Sequence, residues 1–173
     1  KFPRDKADFA ALAAQVVRSE AQAVLYIGSS GTVASGVKAL RAAGSSAQVV
    51  TLSNNASEGF IKLLGEHAHG VIVTQVFPNE RAVNIRLIKE ALELAKAKGL
   101  NSISPAMMEG FAAAKVLVEG LRRAGSKPTP ASLRDALEGM NKYDLGGLEV
   151  NYSPNDHTGL EFADLSIIGS DGK

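Results

Sequence analysis

The sequence predicts an α/β fold in which helices flank a Rossmann-like parallel sheet. Residues 8–77 alternate helical and strand patterns in the order α-β-α-β-α-β. This rhythm is typical of parallel strands joined by helices that cover both faces of the sheet. The clearest unit spans residues 23–55, where a short apolar run, a Gly/Ser turn, an amphipathic helix and a second apolar run follow one another.

The first helix is predicted from a cap and a regular apolar stripe. Asp8 is a suitable N-cap, and apolar residues recur from Phe9 to Val17 at helical spacing. The run 23–27 has the character of a buried strand. Val33, Val37 and Leu40 then mark one face of a helix that Gly44 ends. The elements predicted for this part are helix 9–20, strand 23–27, helix 33–43, strand 48–52, helix 56–66 and strand 71–76.

After Pro78 the rhythm changes to consecutive helices. Two long helices have wide apolar faces, yet no strand pattern lies between them. Since such faces need a sheet or other helices to cover them, we expect their partner in further chain or in another subunit. The elements predicted for this part are helix 80–98, helix 105–124, a short helix from Thr129–Pro130 to about Glu138, strand 148–151 and strand 161–168.

Composition narrows the class of protein. The 173 residues carry 19 basic and 18 acidic side chains, and this balance argues against nucleic acid as a partner. The sequence has no cysteine, which excludes disulfides and a thiol nucleophile. No apolar run approaches the roughly 20 residues of a membrane span. The chain begins abruptly at Lys1–Phe2–Pro3, and we expect a processed protein or a fragment.

Uncharged polar residues follow the predicted strands where a parallel sheet binds small molecules, beyond its carboxyl ends. The turns GSSGT and SNN contain no Cys, His, Asp, Glu or Lys, so they suit holding a ligand better than transforming it. The alternative is that their hydroxyls and amides only cap helices. We predict no catalytic residue, no metal and no cofactor. The predicted ligand-binding residues are Gly28, Ser29, Ser30, Ser53, Asn54 and Gln75.

Several weak motifs in a fixed order carry a resemblance to a known family. They are DFAALAAQVVRSEAQAVLYIG, VKALRAAG, GVIVTQVFP, MEGFAAAKVLVEGLRRAG, TPASLRDALEGM and GGLEVNYSPNDHTGLEFADLSIIGSDG. Together they resemble the C-terminal half of the periplasmic solute-binding proteins of ABC importers, in the class of the leucine/isoleucine/valine-binding protein. The resemblance covers nearly the whole chain and rests on order and spacing.

The resemblance implies a two-lobed type I periplasmic binding fold, with a hinge of crossing strands and a ligand held between the lobes. On this basis residues 1–76 and 158–173 belong to the C-terminal lobe. Residues 77–147 supply helices of the N-terminal lobe, and residues 148–157 are associated with the hinge. The N-terminal half of the family fold is then absent from this sequence.

The resemblance also implies a function. In branched-chain amino-acid binders the turn that matches Gly28–Ser30 supplies an aromatic, and the turn that matches Ser53–Asn54 supplies an acid. Here Ser29 and Ser53 stand at those places, so hydroxyls and amides suit a carboxylate or a neutral polar ligand.

We therefore expect an extracytoplasmic, periplasmic substrate-binding component of an ABC transporter. Its expected ligand is an amino acid or a small carboxylate, its partner is a membrane permease, and the 173-residue form can self-associate. Two alternatives stay open: the ligand-sensing domain of a regulator or receptor, and a doubly wound enzyme that binds phosphate at GSSGT.

Overall fold

A computed structural model describes residues 6–170 of the chain, which divide into two compact units. Of the described residues, one unit is formed by residues 6–76 and 164–170, and the other by residues 77–163. The predicted lobe ranges include residues 1–5 and 171–173, which lie outside the described part. The assignment of the units to family lobes remains a prediction.

The described part of the first unit is a four-stranded sheet with three α-helices. The strands lie in the order β1 (Ala23–Tyr26), β2 (Gln48–Thr51), β3 (Ile72–Gln75) and β7 (Asp164–Ile167); the first three run parallel, and β7 is antiparallel to β3. The prediction of a mostly parallel α/β sheet is confirmed. The elements are α1 (Phe9–Arg18), β1 (Ala23–Tyr26), α2 (Ser30–Ala42), β2 (Gln48–Thr51), α3 (Glu58–Leu64), β3 (Ile72–Gln75) and β7 (Asp164–Ile167).

Local capping decides where these helices begin. The Asp8 carboxylate accepts a hydrogen bond from the backbone N–H of Ala11 at 2.9 Å, as expected for an N-cap. Helix α2 begins at Ser30, earlier than predicted, because the GSSGT turn already enters helical geometry after Ser29. Helix α3 is shorter than predicted, since Ser57 caps it and Gly65, at φ +60°, ends it.

The core of the first unit lies on one face of the sheet. Buried residues of all three helices pack with Val49 and Val73, which alternate with residues on the opposite face. The prediction that helices cover both faces is wrong for the described part of this unit. The prediction that the strand at 23–27 is buried is also wrong, because Leu25 and Ile27 are each 60% exposed.

The second unit consists of three helices and a small antiparallel sheet. Helix α4 begins at Arg86 and not at residue 80, because Asn79 accepts a hydrogen bond from the Arg81 N–H and starts a turn. Helices α5 and α6 have the predicted bounds. The elements are α4 (Arg86–Ala97), α5 (Pro105–Ala124), α6 (Pro130–Glu138), β4 (Tyr143–Asp144), β5 (Glu149–Ser153) and β6 (Asp156–Gly159).

The last predicted strand is shorter in the structure than the predicted range 161–168. Residues 161–163 are not in a strand, and only Asp164–Ile167 forms β7. The strand β6 pairs with β5 as a hairpin. Residues 158–163, which the prediction grouped with residues 1–76, therefore lie in the second unit.

The two long helices differ in how far the second unit covers them. The apolar face of α4 is buried within the unit, with Leu87 and Ile88 fully inaccessible. Helix α5 turns Met108 and Ala112 to this core and leaves Val118 66% exposed. The expectation of uncovered apolar helices therefore holds for part of α5 and is wrong for the main face of α4.

Candidate functional site

Two turns and the end of a third strand lie along one edge of the sheet in the first unit. Gly28 and Ser29 follow β1, and Ser53 begins a short 3₁₀ turn after β2. Gln75 is the last residue of the neighbouring strand β3. Because the three strands are parallel and adjacent, their carboxyl ends lie along the same edge, which is where such sheets bind small molecules.

A buried amide joins the first two turns. Asn55 is fully inaccessible to solvent and makes three side-chain hydrogen bonds. Its Nδ2 donates to the Gly28 carbonyl at 3.3 Å and to Thr51 Oγ1 at 2.8 Å, and its Oδ1 accepts from Ser30 Oγ at 2.9 Å. Buried polar groups are tolerated when they are satisfied in this way. The Asn55 amide thus fixes the GSS turn against the SNN turn.

The neighbouring residues extend this network toward solvent. The Thr51 hydroxyl is also fully buried, and it donates to the Tyr26 carbonyl at 2.9 Å. Exposed Asn54 donates through Nδ2 to the Gly28 carbonyl at 3.1 Å, so this carbonyl accepts from two side-chain amides. Gly28, Ser30 and Asn54 are therefore held together, and part of the Asn54 side chain faces water.

Ser29 lies at the N-cap position of α2 and is exposed. Its side chain makes no capping bond; Ser29 Oγ lies 2.9 Å from Thr32 Oγ1 instead. The two hydroxyls thus sit together at the start of a thirteen-residue helix. The positive end of the helix dipole favours an acceptor or a negative charge at this point.

Ser53 and Gln75 occupy the other end of the edge. The Ser53 backbone N–H donates to Thr74 Oγ1 at 3.1 Å, which ties the SNN turn to β3. Gln75 is half-buried and pairs in register with Asp164 of β7. The structure places both on the same edge as Ser29, and no hydrogen bond among the described residues joins either side chain to the Asn55 network.

Sequence reasoning missed the residues that organise the edge. The sequence pattern places Asn55 in a turn and Thr51 in a strand, whereas in the described part of the first unit both are buried polar residues. A threonine inside an apolar strand, followed four residues later by an asparagine, was the available signal. Only the packing of α2 shows that the asparagine is buried.

The edge carries hydroxyls, amides and backbone groups. Burial raises the pKa of the Tyr26 phenol above its usual value. Within residues 6–170 there is no cluster of three or more metal-ligating side chains of the His, Cys, Asp or Glu type. In the same range no helix is long and apolar enough to cross a membrane.

The family and the structural relatives agree. A family model described as periplasmic binding protein matches residues 1–167. A substrate-binding periplasmic protein from Ralstonia solanacearum is 31% identical with a TM-score of 0.82, and 99% of this chain matches 50% of it. An extracellular ligand-binding receptor from Verminephrobacter eiseniae is 28% identical with a TM-score of 0.86, and 100% of this chain matches 50% of it.

A more distant relative shares the fold. The leucine-binding protein LivK of Thermotoga maritima is 18% identical with a TM-score of 0.84, and 98% of this chain matches 47% of it. No curated protein matches the sequence. The chain spans about half the length of the solved structures it matches. Since the family model matches almost the whole sequence, the chain belongs to the periplasmic binding protein family.

Proposed function

We propose that this chain contributes to the solute-binding component of an ABC importer and holds a small polar ligand at the edge formed by its GSS and SNN turns. The ligand class is an amino acid or a small carboxylate. The component works outside the cytoplasm, in the periplasm, and delivers its ligand to a membrane permease. We assign it no catalytic step.

The observation that carries the proposal is the polar edge of the parallel sheet. The buried Asn55 amide holds the Gly28 carbonyl and the Ser30 hydroxyl, which leaves the Ser29 hydroxyl and the outer part of Asn54 facing solvent at fixed positions. A few polar groups fixed in advance are what orients a small ligand in a binding site. The start of α2 adds a favourable field for a carboxylate.

The descriptions of the solved relatives support a solute-binding role. One solved relative is described as a substrate-binding periplasmic protein, and others as leucine-binding or possible leucine/isoleucine/valine-binding proteins. Ser29 and Ser53 offer hydroxyls where the resemblance would place an aromatic and an acid in branched-chain binders. We therefore favour a ligand recognised through its carboxylate over one recognised through a charged amino group.

A binding screen tests this proposal. Thermal shift and isothermal titration of the 173-residue chain against single amino acids, small mono- and dicarboxylates, and nucleotides should give stabilisation by members of the first two sets only. Ser29→Ala should weaken binding by about threefold to tenfold, the equivalent of one hydrogen bond.

Ser46→Ala is the matched control, because Ser46 is an exposed serine that precedes β2 at the opposite end of the strands. Its affinity should be unchanged. Binding that is equally sensitive to both substitutions, or stabilisation by nucleotides with turnover, would contradict the proposed site and favour the enzyme alternative.

A further inference from the structure

Different contacts hold the two ends of the polar edge. The buried Asn55 amide binds the Gly28 carbonyl and the Ser30 hydroxyl, and so it fixes the GSS turn. Among the described residues, none of the hydrogen bonds of that amide reaches Ser53. The position of Ser53 must therefore depend on another contact.

The Ser53 backbone N–H lacks a partner within residues 52–56. The bonds of the SNN turn run from the Asn55 N–H to the Leu52 carbonyl at 3.0 Å and from the Ala56 N–H to the Ser53 carbonyl at 2.8 Å. The first N–H groups of a helical turn need partners from outside it, and Leu52 at the N-cap position supplies no side-chain bond. The Thr74 hydroxyl supplies one, because Thr74 Oγ1 accepts from the Ser53 N–H at 3.1 Å.

The end of the strand ladder explains why a side chain takes this role. The last register pair of β2 with β3 joins Thr51 and Val73. Beyond that pair the chain leaves β2 for the SNN turn, while β3 continues to Gln75. Thr74 is the residue of β3 that follows the last pair. Its hydroxyl takes the place of a backbone acceptor for Ser53.

The Thr74 hydroxyl has no second task within residues 6–170. Its bond with Ser53 is the side chain's one hydrogen bond in that range. The residue opposite Thr74 in β7 is Leu165, which is aliphatic and 62% exposed. A valine has nearly the same volume and suits a strand equally well. Strand packing thus does not require a hydroxyl at position 74, whereas the placement of Ser53 does.

We propose that Thr74 is a positioning residue for ligand binding. Its hydroxyl holds the Ser53 backbone, and thereby the Ser53 side chain, at the edge where the ligand binds. The two ends of the edge are then held independently, the GSS turn by Asn55 and the Ser53 end by Thr74. The inference rests on the proposed function, since it explains how one end of that binding edge keeps its geometry.

The first measurement needs no ligand. Thr74→Val removes the acceptor, so amide hydrogen exchange at Ser53, measured by NMR, should accelerate about threefold to tenfold, the equivalent of one hydrogen bond. Exchange at Val49, which is buried in β2, should not change. Thr74→Ser keeps a hydroxyl and should retain the original Ser53 rate. Thr158→Val is the matched control, because Thr158 is exposed in the second unit, and it should leave Ser53 unaffected.

The second measurement is isothermal titration with L-alanine, L-leucine, acetate and succinate. For a probe that binds, Thr74→Val and Ser53→Ala should each raise the Kd about threefold to tenfold. In the chain that carries both substitutions, the effect should be clearly smaller than the product of the two, because Ser53 has already lost its position. Thr74→Val combined with Ser29→Ala should give the full product, because Ser29 lies at the start of α2 and Asn55 holds its turn.

Three results would overturn the inference. They are an unchanged exchange rate of Ser53 in Thr74→Val, a Thr74→Ser chain that behaves like Thr74→Val, and effects of Thr74→Val and Ser53→Ala on the Kd that multiply. Each of them leaves binding by the unsubstituted chain intact, so the proposed function stands. If the unsubstituted chain binds none of the four probes, the proposed function fails for these ligand classes and this inference fails with it.

Discussion

The adjacent pair Asn54 and Asn55 provides a sharp test of how the candidate site is held. Both side-chain amides donate to the Gly28 carbonyl, yet Asn55 is fully buried and Asn54 is exposed. Replacing Asn55 with Ala removes three hydrogen bonds. At about 1 kcal/mol of net stability for each bond, the first unit should lose about 3 kcal/mol.

Asn54→Ala is the control, because it removes one hydrogen bond in water and should cost about 1 kcal/mol or less. Native-state hydrogen exchange at the amide of Val49 is the assay, since this residue is fully buried in β2 and reports the opening of the first unit. Exchange should accelerate about 100-fold in Asn55→Ala and less than about tenfold in Asn54→Ala.

The reasoning fails if the two substitutions have similar effects. Equal acceleration would mean that the Gly28 carbonyl is the only contact of consequence and that the bonds of Asn55 to Thr51 and Ser30 contribute nothing. A ligand titration of the same variants adds a second readout. Asn55→Ala should also weaken ligand binding, because the Ser30 hydroxyl and the GSS turn lose the group that positions them.

Three further predictions concern packing and charge. Gly36→Ala should cost about 1–3 kcal/mol, because its Cβ would lie 2.0 Å from the Tyr26 hydroxyl, and Tyr26→Val in the same chain should recover most of the loss in urea unfolding. Gly146→Ala should lower the free energy of unfolding by about 2 kcal/mol or more, since Gly146 has φ +124° and an added Cβ would meet the backbone of α4. Gly110→Ala is the control: it lies in open space on α5 and should raise the free energy of unfolding by up to about 1 kcal/mol. Hydrogen bonds from two neighbouring arginines lower the pKa of Glu119 from 4.5 to about 2. This carboxylate therefore stabilises the fold fully above pH 4.5 and loses its contribution as pH falls toward 2. In Glu119→Gln the free energy of unfolding should depend less on pH in that range. A carboxyl NMR titration of Glu119 with a midpoint near 4.5 would contradict this prediction.

Helices were predictable where a cap and an apolar face agreed. Local chemistry predicts the start of α6 at Thr129–Pro130, and the structure keeps it. Helix α5 ends at its predicted bound, where Gly125 adopts φ +90°. The predicted start of helix α4 was wrong. The residues after Pro78 fit a helical pattern, but the Asn79 side chain accepts a hydrogen bond that places them in a turn. Local bonds of this kind compete with helix formation and leave little trace in periodicity.

Burial was less predictable than element type. Leu25 and Ile27 read as core residues, and their strand does exist, but no described helix of the first unit covers their face. An apolar pattern shows that a surface is suited to contact. It does not show whether the covering residues belong to the same stretch of sequence. A strand that is buried and a strand that is left exposed can therefore have the same apolar pattern.

The polar edge shows the same limit from the opposite side. The positions of Gly28, Ser29, Ser53 and Asn54 followed from one rule, that parallel strands share an edge at their carboxyl ends. The rule gives no ranking among the polar residues there. Asn55 has no solvent contact, and it holds the turns together. Because water cannot replace its three hydrogen bonds in the buried state, the turns must keep the geometry that satisfies them. Ligand-facing residues at this edge should thus tolerate change that alters specificity, whereas Asn55 should tolerate none that removes its amide.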